Sequence, residues 1–358
     1  MNILNIMLSK TLGGLEQSYI DYQKALEHLG HNTIAVYHPK AAIKSAILRK
    51  HRSTLKLSNV GSWDLLATLK LAVIIKMYKI DIIIAHGNRA ITLSRRANFL
   101  KSCKIIAVTH NYRQKVSLVD AVFATTPHLQ LDAINRGAKS DQTFVIPNMI
   151  DMSRAVTRRR FTSKKLCIGA LARCVEKKGF SVLIHALAQL KERGLDFEAI
   201  LAGDGIQIKE YRSLSRSLGL TDIISFPGWV TDKEKFFNSI DIFCLPSLHE
   251  PFGITLLEAA KHSVPIVATE TGGPKAIITD NIDGKLCRPG DPNDLSVALQ
   301  QTLLDSLKRQ SYARNAHQGI ALVYAIDNIA FKIDAALNAV SNTSCRANSI
   351  PAAADQDH

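Results

Sequence analysis

Runs of β-branched and aliphatic residues alternate with helical stretches along most of the chain. They fall at residues 3–8, 33–37, 82–85, 105–108 and 122–124, and then at 166–171, 199–202, 223–226, 242–245 and 266–268. Short apolar runs separated by helix-length segments predict repeated βα units and parallel sheets, so the expected fold class is α/β. Residues 152–165 interrupt this rhythm, being polar and basic with no clear period. The boundary between two domains is placed there, giving 1–160 and 161–324. From 341 onward the chain is small and polar, and 341–358 reads as a disordered tail because it has too little apolar surface to bury.

Composition adds to this picture. The 358 residues exceed one typical core of about 100 to 200 residues and suit two. With 46% hydrophobic and 21% charged residues the balance is globular. The opening Met1-Asn2-Ile3 lacks a basic leader and reads directly as a strand. The longest helical apolar stretch, 65–75, is interrupted by Lys70 and followed by Lys76 and Lys79, short of the roughly 18 to 20 residues a span requires. Cys103, Cys167, Cys174, Cys244, Cys287 and Cys345 lie far apart, three of them inside predicted strands. They read as buried reduced thiols of a cytosolic protein.

Charge is unevenly spread. Residues 1–164 hold 25 Lys and Arg against 9 Asp and Glu, so the first domain carries all of the net +14. Lys40, Lys44, Arg49, Lys50, Arg52 and Lys56 surround Ile43, Ile47, Leu48, Leu55 and Leu57. Such a segment is either a solvated helix packed by its apolar side, or a basic amphipathic surface suited to an anionic membrane. Nucleic acid is not expected as a partner, since aromatic residues are 6% and no stacking motif or zinc spacing accompanies the basic residues.

The candidate chemistry centres on His249-Glu250-Pro251-Phe252-Gly253-Ile254-Thr255-Leu256-Leu257-Glu258, in which a bent loop with one carboxylate leads into a helix with another. Thr255 and Glu258 have capping-box spacing, so the helix is expected to begin near Thr255. A helix start offers unpaired N–H groups and roughly half a positive charge, a seat for a diphosphate. Read alone, Glu258 is the reciprocal half of the cap and Glu250 a solvated loop carboxylate. Residues 264–269 follow as a strand with a tight turn, Thr271-Gly272-Gly273-Pro274, at its carboxyl end, where ligands collect in open parallel sheets. Arg173 and Lys178 follow the strand at 166–171 on a loop ending at Gly179, and are either a phosphate clamp or a solvated basic loop. Gly13 and Gly14 are either a strand–helix turn or a place where backbone comes close to a ligand. His110 ends a strand, where it could donate a hydrogen bond or move a proton; His86 is its competitor.

These segments, in this order, resemble the retaining GT-B glycosyltransferases of family 4, the Glu-x7-Glu group 1 enzymes that include sucrose synthases, bacterial glycogen synthases and phosphatidylinositol mannosyltransferases. Further matching segments are Leu29-Gly30-His31, Val108-Thr109-His110, Val145-Ile146-Pro147-Asn148 with Asp151, Gly203-Asp204-Gly205, Pro227-Gly228-Trp229 and Gly290-Asp291, so the likeness runs almost to residue 330. The resemblance implies two Rossmann-like domains facing a central cleft, the first for the acceptor and the second for a nucleotide-diphosphate sugar, with a helix at 325–340 crossing back to the first. It assigns Glu250 to the donor sugar, with Phe252, Gly253 and Ile254 alongside, and Glu258 to the ribose hydroxyls. Arg173 and Lys178 go to the diphosphate, Gly13 and Gly14 to its other side, and His110 to the transferred sugar. It further implies retention without a covalent intermediate, with the leaving phosphate taking the acceptor proton.

No cofactor or metal is expected in that scheme; the only Asp-x-Asp triplet, Asp355-Gln356-Asp357, lies in the tail. From the basic first domain the acceptor is read as a glycan or envelope glycolipid such as a lipopolysaccharide core, placing the enzyme in the cytoplasm, peripheral on the inner membrane face. One departure stands out: Ala276, preceded by Lys275, replaces a glutamate usual after the Gly-Gly-Pro turn, which leaves the sugar open. A sugar-nucleotide epimerase, a phosphorylase and a non-catalytic sugar-nucleotide sensor are the alternatives.

Overall fold

A computed structural model describes residues 1–10, 13–42, 53–61, 63–153 and 165–342. The chain divides into two compact units, one comprising Met1–Pro147 with Ile326–His358, the other Asn148–Ala325. The expected boundary segment, most of the basic segment around Ile43 to Arg52, and the tail with its Asp-x-Asp triplet lie outside the described residues.

In the first unit seven parallel strands stand in the order β3-β2-β1-β4-β5-β6-β7: β1 (Asn2–Met7), β2 (Asn32–Tyr37), β3 (Thr54–Lys56), β4 (Ile82–His86), β5 (Lys104–Thr109), β6 (Ala121–Ala124) and β7 (Thr143–Val145). The central register sets Asn5 opposite both Ala35 and Ile84. Strands β1, β2, β4 and β5 are buried along almost their whole length, which is why they read as continuous apolar runs. The helix Pro127–Asn135 starts where it does because the Thr126 side chain accepts from Leu129 N–H and Pro127 has the right φ without needing its own N–H. The helix Ile326–Asn342 packs on the helix Gly14–His28.

The second unit holds six parallel strands in the order β10-β9-β8-β11-β12-β13: β8 (Leu166–Leu171), β9 (Phe197–Ala202), β10 (Ile224–Ser225), β11 (Ile242–Leu245), β12 (Ile266–Thr269) and β13 (Lys285–Cys287). Its core gathers Phe180, Leu183, Leu187, Leu201, Ile242 and Leu299 on one side and Phe237, Phe243, Leu256, Leu257 and Ile266 on the other. Full burial of such side chains stabilises by about 1.5–3 kcal/mol each. Asp291 caps the helix Pro292–Leu304 by accepting from Asn293 and Asp294 N–H, with Pro292 in the first turn.

Both sheets reverse direction of winding beside their first strand, between β1 and β4 and between β8 and β11. In open parallel sheets a crevice forms there, at the carboxyl ends of the strands. Among the described residues, Cys103, Cys167, Cys174, Cys244 and Cys287 are buried and form no disulfide. Burial pushes the thiols of Cys103 and Cys287 up to about 12 and that of Cys174 to about 11, so they are inert at neutral pH.

Candidate functional site

In the second unit, the loops after β8, β9, β11 and β12 meet at one sheet edge, as parallel strands require. The loop after β8 ends at Gly179, whose φ of 67° places it in the left-handed region. A Cβ there would stand 1.9 Å from the carbonyl oxygen of Pro246. Glycine therefore lets this loop lie directly on the one after β11, and the Lys177 carbonyl accepts from the N–H groups of Leu248 and His249 at 2.9 and 3.3 Å. Across that seam Lys178 Nζ donates to Glu250 Oε2 at 2.5 Å, with Ser247 Oγ at 3.4 Å from the same oxygen. Their side chains are only 16% and 10% exposed, so the pair lies in a poorly solvated place where each charge depends on the other. Arg173 is exposed on the same loop. Burial, then the neighbouring Arg173 and Lys178 charges, hold the Lys177 ammonium below its usual range, which marks the loop as a concentrated positive site.

The second carboxylate differs from the sequence expectation. The helix spans Ile254–Lys261, and its N-cap is Gly253 at φ 94°, with no side-chain cap. Thr255 lies inside the helix, and Glu258 does not reach back to cap it. Glu258 Oε1 instead accepts from Lys233, on the helix Lys233–Asn238, and its Oε2 is buried without a hydrogen-bond partner among the described residues. The capping-box reading is thus corrected: the left-handed glycine starts the helix one residue earlier and leaves its first N–H groups without a side-chain acceptor. Phe252 is 4% exposed and packs edge-on to Tyr324, so only its backbone faces the loop. The Gly253 and Ile254 backbones continue that edge. The Gly-Gly-Pro segment is the first turn of a short helix, Gly272–Ile277, rather than a free turn; Gly273 N–H donates to the Glu250 carbonyl at 2.9 Å.

In the first unit, His86 ends β4 and His110 follows β5. The sequence ranks them as competitors, but the structure brings them together: the rings stack with centroids 5.3 Å apart, and His86 Nδ1 lies 3.1 Å from His110 Nε2. Tyr19 and Tyr22 stand edge-on to His86. Burial holds His110 down to about 4 and His86 well below its ordinary range, so both imidazoles are neutral at pH 7. His86 Nε2 is buried and unpartnered among the described residues, and a buried N–H without an acceptor is rarer than a bare lone pair. The proton of His86 is therefore assigned to Nδ1, donated to His110 Nε2, which leaves His110 Nδ1 as an N–H donor. Gly13 has extended backbone and precedes the helix Gly14–His28; Gly14 is exposed at its start.

The family model for glycosyl transferases group 1 matches residues 154–319, and that for glycosyltransferase family 4 matches residues 12–154. Together the two matches run from residue 12 to residue 319, and both models describe glycosyltransferases. Its fold is GT-B, and it is a glycosyltransferase. The lipopolysaccharide core biosynthesis glycosyltransferase LpsE of Rhizobium meliloti is 28% identical over 86% of this chain and 90% of its own length. Among solved structures, Anabaena HepE in complex with UDP and glucose superimposes with a TM-score of 0.83 at 23% identity, over 94% of this chain and 99% of that one. The lipopolysaccharide outer core galactosyltransferase WaaB in its apo form gives 0.75 at 17% identity, over 94% and 99%. These two likenesses concern the fold.

Within this glycosyltransferase, the sequence had no means of finding Lys233, because its contact with Glu258 spans 25 residues and no motif marks it. Ser247 and Thr269, whose hydroxyl donates to the Ser247 carbonyl at 2.6 Å, were likewise unmarked, although both lie at strand ends, where polar residues among apolar runs are a usable signal.

Proposed function

We propose that this enzyme transfers a sugar, with retention and without a metal, from a nucleotide-diphosphate sugar to a hydroxyl of an envelope glycolipid of the lipopolysaccharide core type. The observation that carries this reading is the pairing of two glutamates with two lysines at the carboxyl edge of one parallel sheet, beside an uncapped helix start. Lys178 and Lys233 are paired with Glu250 and Glu258. A bound donor satisfies the same groups differently: Lys178 and Arg173 take the diphosphate oxygens, the N–H groups at the start of Ile254–Lys261 point at them, and Glu258 takes the ribose hydroxyls through its unpartnered oxygen. Charge growing on the leaving phosphate then meets fixed positive groups, which is the stabilisation the transition state requires. These groups supply it without a metal ion. Glu250, with the Phe252–Ile254 backbone, holds the sugar.

His110 serves as a neutral hydrogen-bond donor rather than as an acid. Burial holds its imidazole down to about 4, so it is uncharged at pH 7. His86 positions it. Gly13 and Gly14 leave the backbone at the start of the helix Gly14–His28 open to close approach by a ligand. The leaving phosphate accepts the acceptor's proton on the face it departs from, which preserves the anomeric configuration. The lipopolysaccharide assignment is supported by the name of the Rhizobium relative, and the UDP-bound Anabaena structure supports a uridine donor. Transfer takes place at the inner face of the cytoplasmic membrane.

The test is incubation of the purified full chain with uridine, guanosine and adenosine diphosphate sugars and truncated lipopolysaccharide cores. Nucleoside diphosphate release and the anomeric coupling constant of the product are read. Transfer with the donor's configuration is expected. An inverted product removes retention, and binding without turnover on every acceptor favours a sensor.

A further inference from the structure

The helix Leu65–Met77 is apolar on two opposite sides. Ala67, Leu71 and Ile75 face the core of the first unit, but Leu65, Leu66, Leu69, Val73 and Met77 are 60–74% exposed. At about 100° per residue, Leu69, Val73, Leu66 and Met77 form one stripe about 80° wide, with Lys76 on one border and Lys70 on the other. The patch does not end with this helix. It packs against the helix Gly87–Ala97, and the Arg96 guanidinium lies 3.6 Å over the ring of Trp63, which is itself 76% exposed. Phe99 and Leu100, just past that second helix, are 69% and 74% exposed. A soluble surface rarely leaves so many large apolar side chains together without a partner.

The charges around it choose the partner. Residues 60–79 and 87–101 contain seven Lys and Arg and a single acid, Asp64. Asp64 is occupied as the helix cap, accepting from Val60 and Ala67 N–H at 3.0 Å each. An apolar stripe bordered by long basic side chains that can reach outward fits the interface of an anionic bilayer, where apolar groups sink below the headgroups and ammonium groups stay level with phosphates. A protein partner or a second copy would have to match the lysines on both borders of the stripe. No helix among the described residues is long and apolar enough to cross a membrane, so contact at this patch is contact with the surface.

We infer that the face formed by Leu65–Met77, Trp63, Phe99 and Leu100 lies on anionic lipid and holds the enzyme at the membrane. This deepens the membrane-borne acceptor proposed above, but it involves none of the donor-site residues. The two claims therefore fail separately: nucleoside diphosphate release from a soluble acceptor tests one and vesicle binding the other.

Flotation of the full chain with phosphatidylcholine vesicles containing phosphatidylglycerol, against pure phosphatidylcholine, reads the inference directly. The wild type is expected to float with the anionic vesicles. The triple variant Leu66→Gln, Leu69→Gln, Val73→Gln changes only exposed positions to another good helix former, so its melting temperature should be unchanged. Its vesicle partitioning should fall about tenfold or more. Lys70→Gln, Lys76→Gln and Lys101→Gln together should abolish the preference for anionic lipid. In a Trp229→Phe background, Trp63 emission should shift to the blue on vesicle addition. Three results overturn the inference: no flotation of the wild type, equal flotation of the folded triple variant, or a self-associating protein whose dimer the triple variant abolishes while vesicles remain unbound.

Discussion

Replacement of Gly179 by alanine tests whether the seam between two loops holds the donor site together. The left-handed backbone costs a residue with a Cβ about 1–2 kcal/mol. The new Cβ would lie 1.9 Å from Pro246 O, so the loops must part by about 1.4 Å to reach an ordinary contact of about 3.3 Å. That movement breaks the two hydrogen bonds into the Lys177 carbonyl, worth about 1 kcal/mol each, and separates Lys178 from Glu250. A destabilisation of about 3–4 kcal/mol is expected. Gly194→Ala is the control: it has a φ of 76° but nothing within 4 Å, so it should lose only the conformational term. Urea unfolding followed by circular dichroism measures both. Calorimetric titration with nucleoside diphosphate should show Gly179→Ala binding about tenfold or more weakly. If Gly179→Ala unfolds within about 0.5 kcal/mol of the control and binds nucleotide normally, the seam plays no part in the site.

Lys178→Met should weaken nucleoside diphosphate binding by about 1.5–3 kcal/mol and, by leaving Glu250 without its counter-charge, lower stability by about 3 kcal/mol; adding Glu250→Gln should restore the stability but not the affinity. Acid should unfold the protein through the histidine pair. Because both folded-state values are depressed, their contribution is complete above the unfolded value of about 6.5 and is lost as the pH falls from there through the folded values. As the pH falls from 6 towards 4.5 stability should fall by roughly 1 kcal/mol per pH unit for each imidazole held neutral, and His86→Gln with His110→Gln should flatten the slope; an unchanged slope in the double variant would contradict the burial of two neutral imidazoles. Thiol titration of the native chain should find Cys103, Cys167, Cys174, Cys244 and Cys287 slow to react, and all six cysteines should react after unfolding; fast reaction of any of the five in the native state would show the buried cysteines to be open.

Most strands were legible because both faces of each sheet are covered, so strands such as Ile82–His86 and Ile242–Leu245 appear as unbroken apolar runs. Thr54–Lys56 did not show, since it is a three-residue edge strand, partly exposed, in a stretch whose basic residues suggested a helix. At the site, residue types and spacing were readable, and their pairing was not. Lys178 meets Glu250 across 72 residues, and the capping-box spacing of Thr255 and Glu258 gave no sign that Glu258 meets Lys233 on another helix. Spacing records local geometry, and the capping error arose because Gly253 adopts a left-handed conformation that no neighbouring residue announces. The two histidines were ranked against each other for the same reason: only the parallel pairing of β4 and β5 sets them side by side.

The most direct measurement is a crystal structure of the full chain with a nucleoside diphosphate bound. The account requires the two phosphates to lie between Arg173, Lys178 and the first N–H groups of the helix Ile254–Lys261, with the ribose hydroxyls on Glu258. A diphosphate seated elsewhere, with Lys178 and Lys233 still paired to their glutamates, would contradict it.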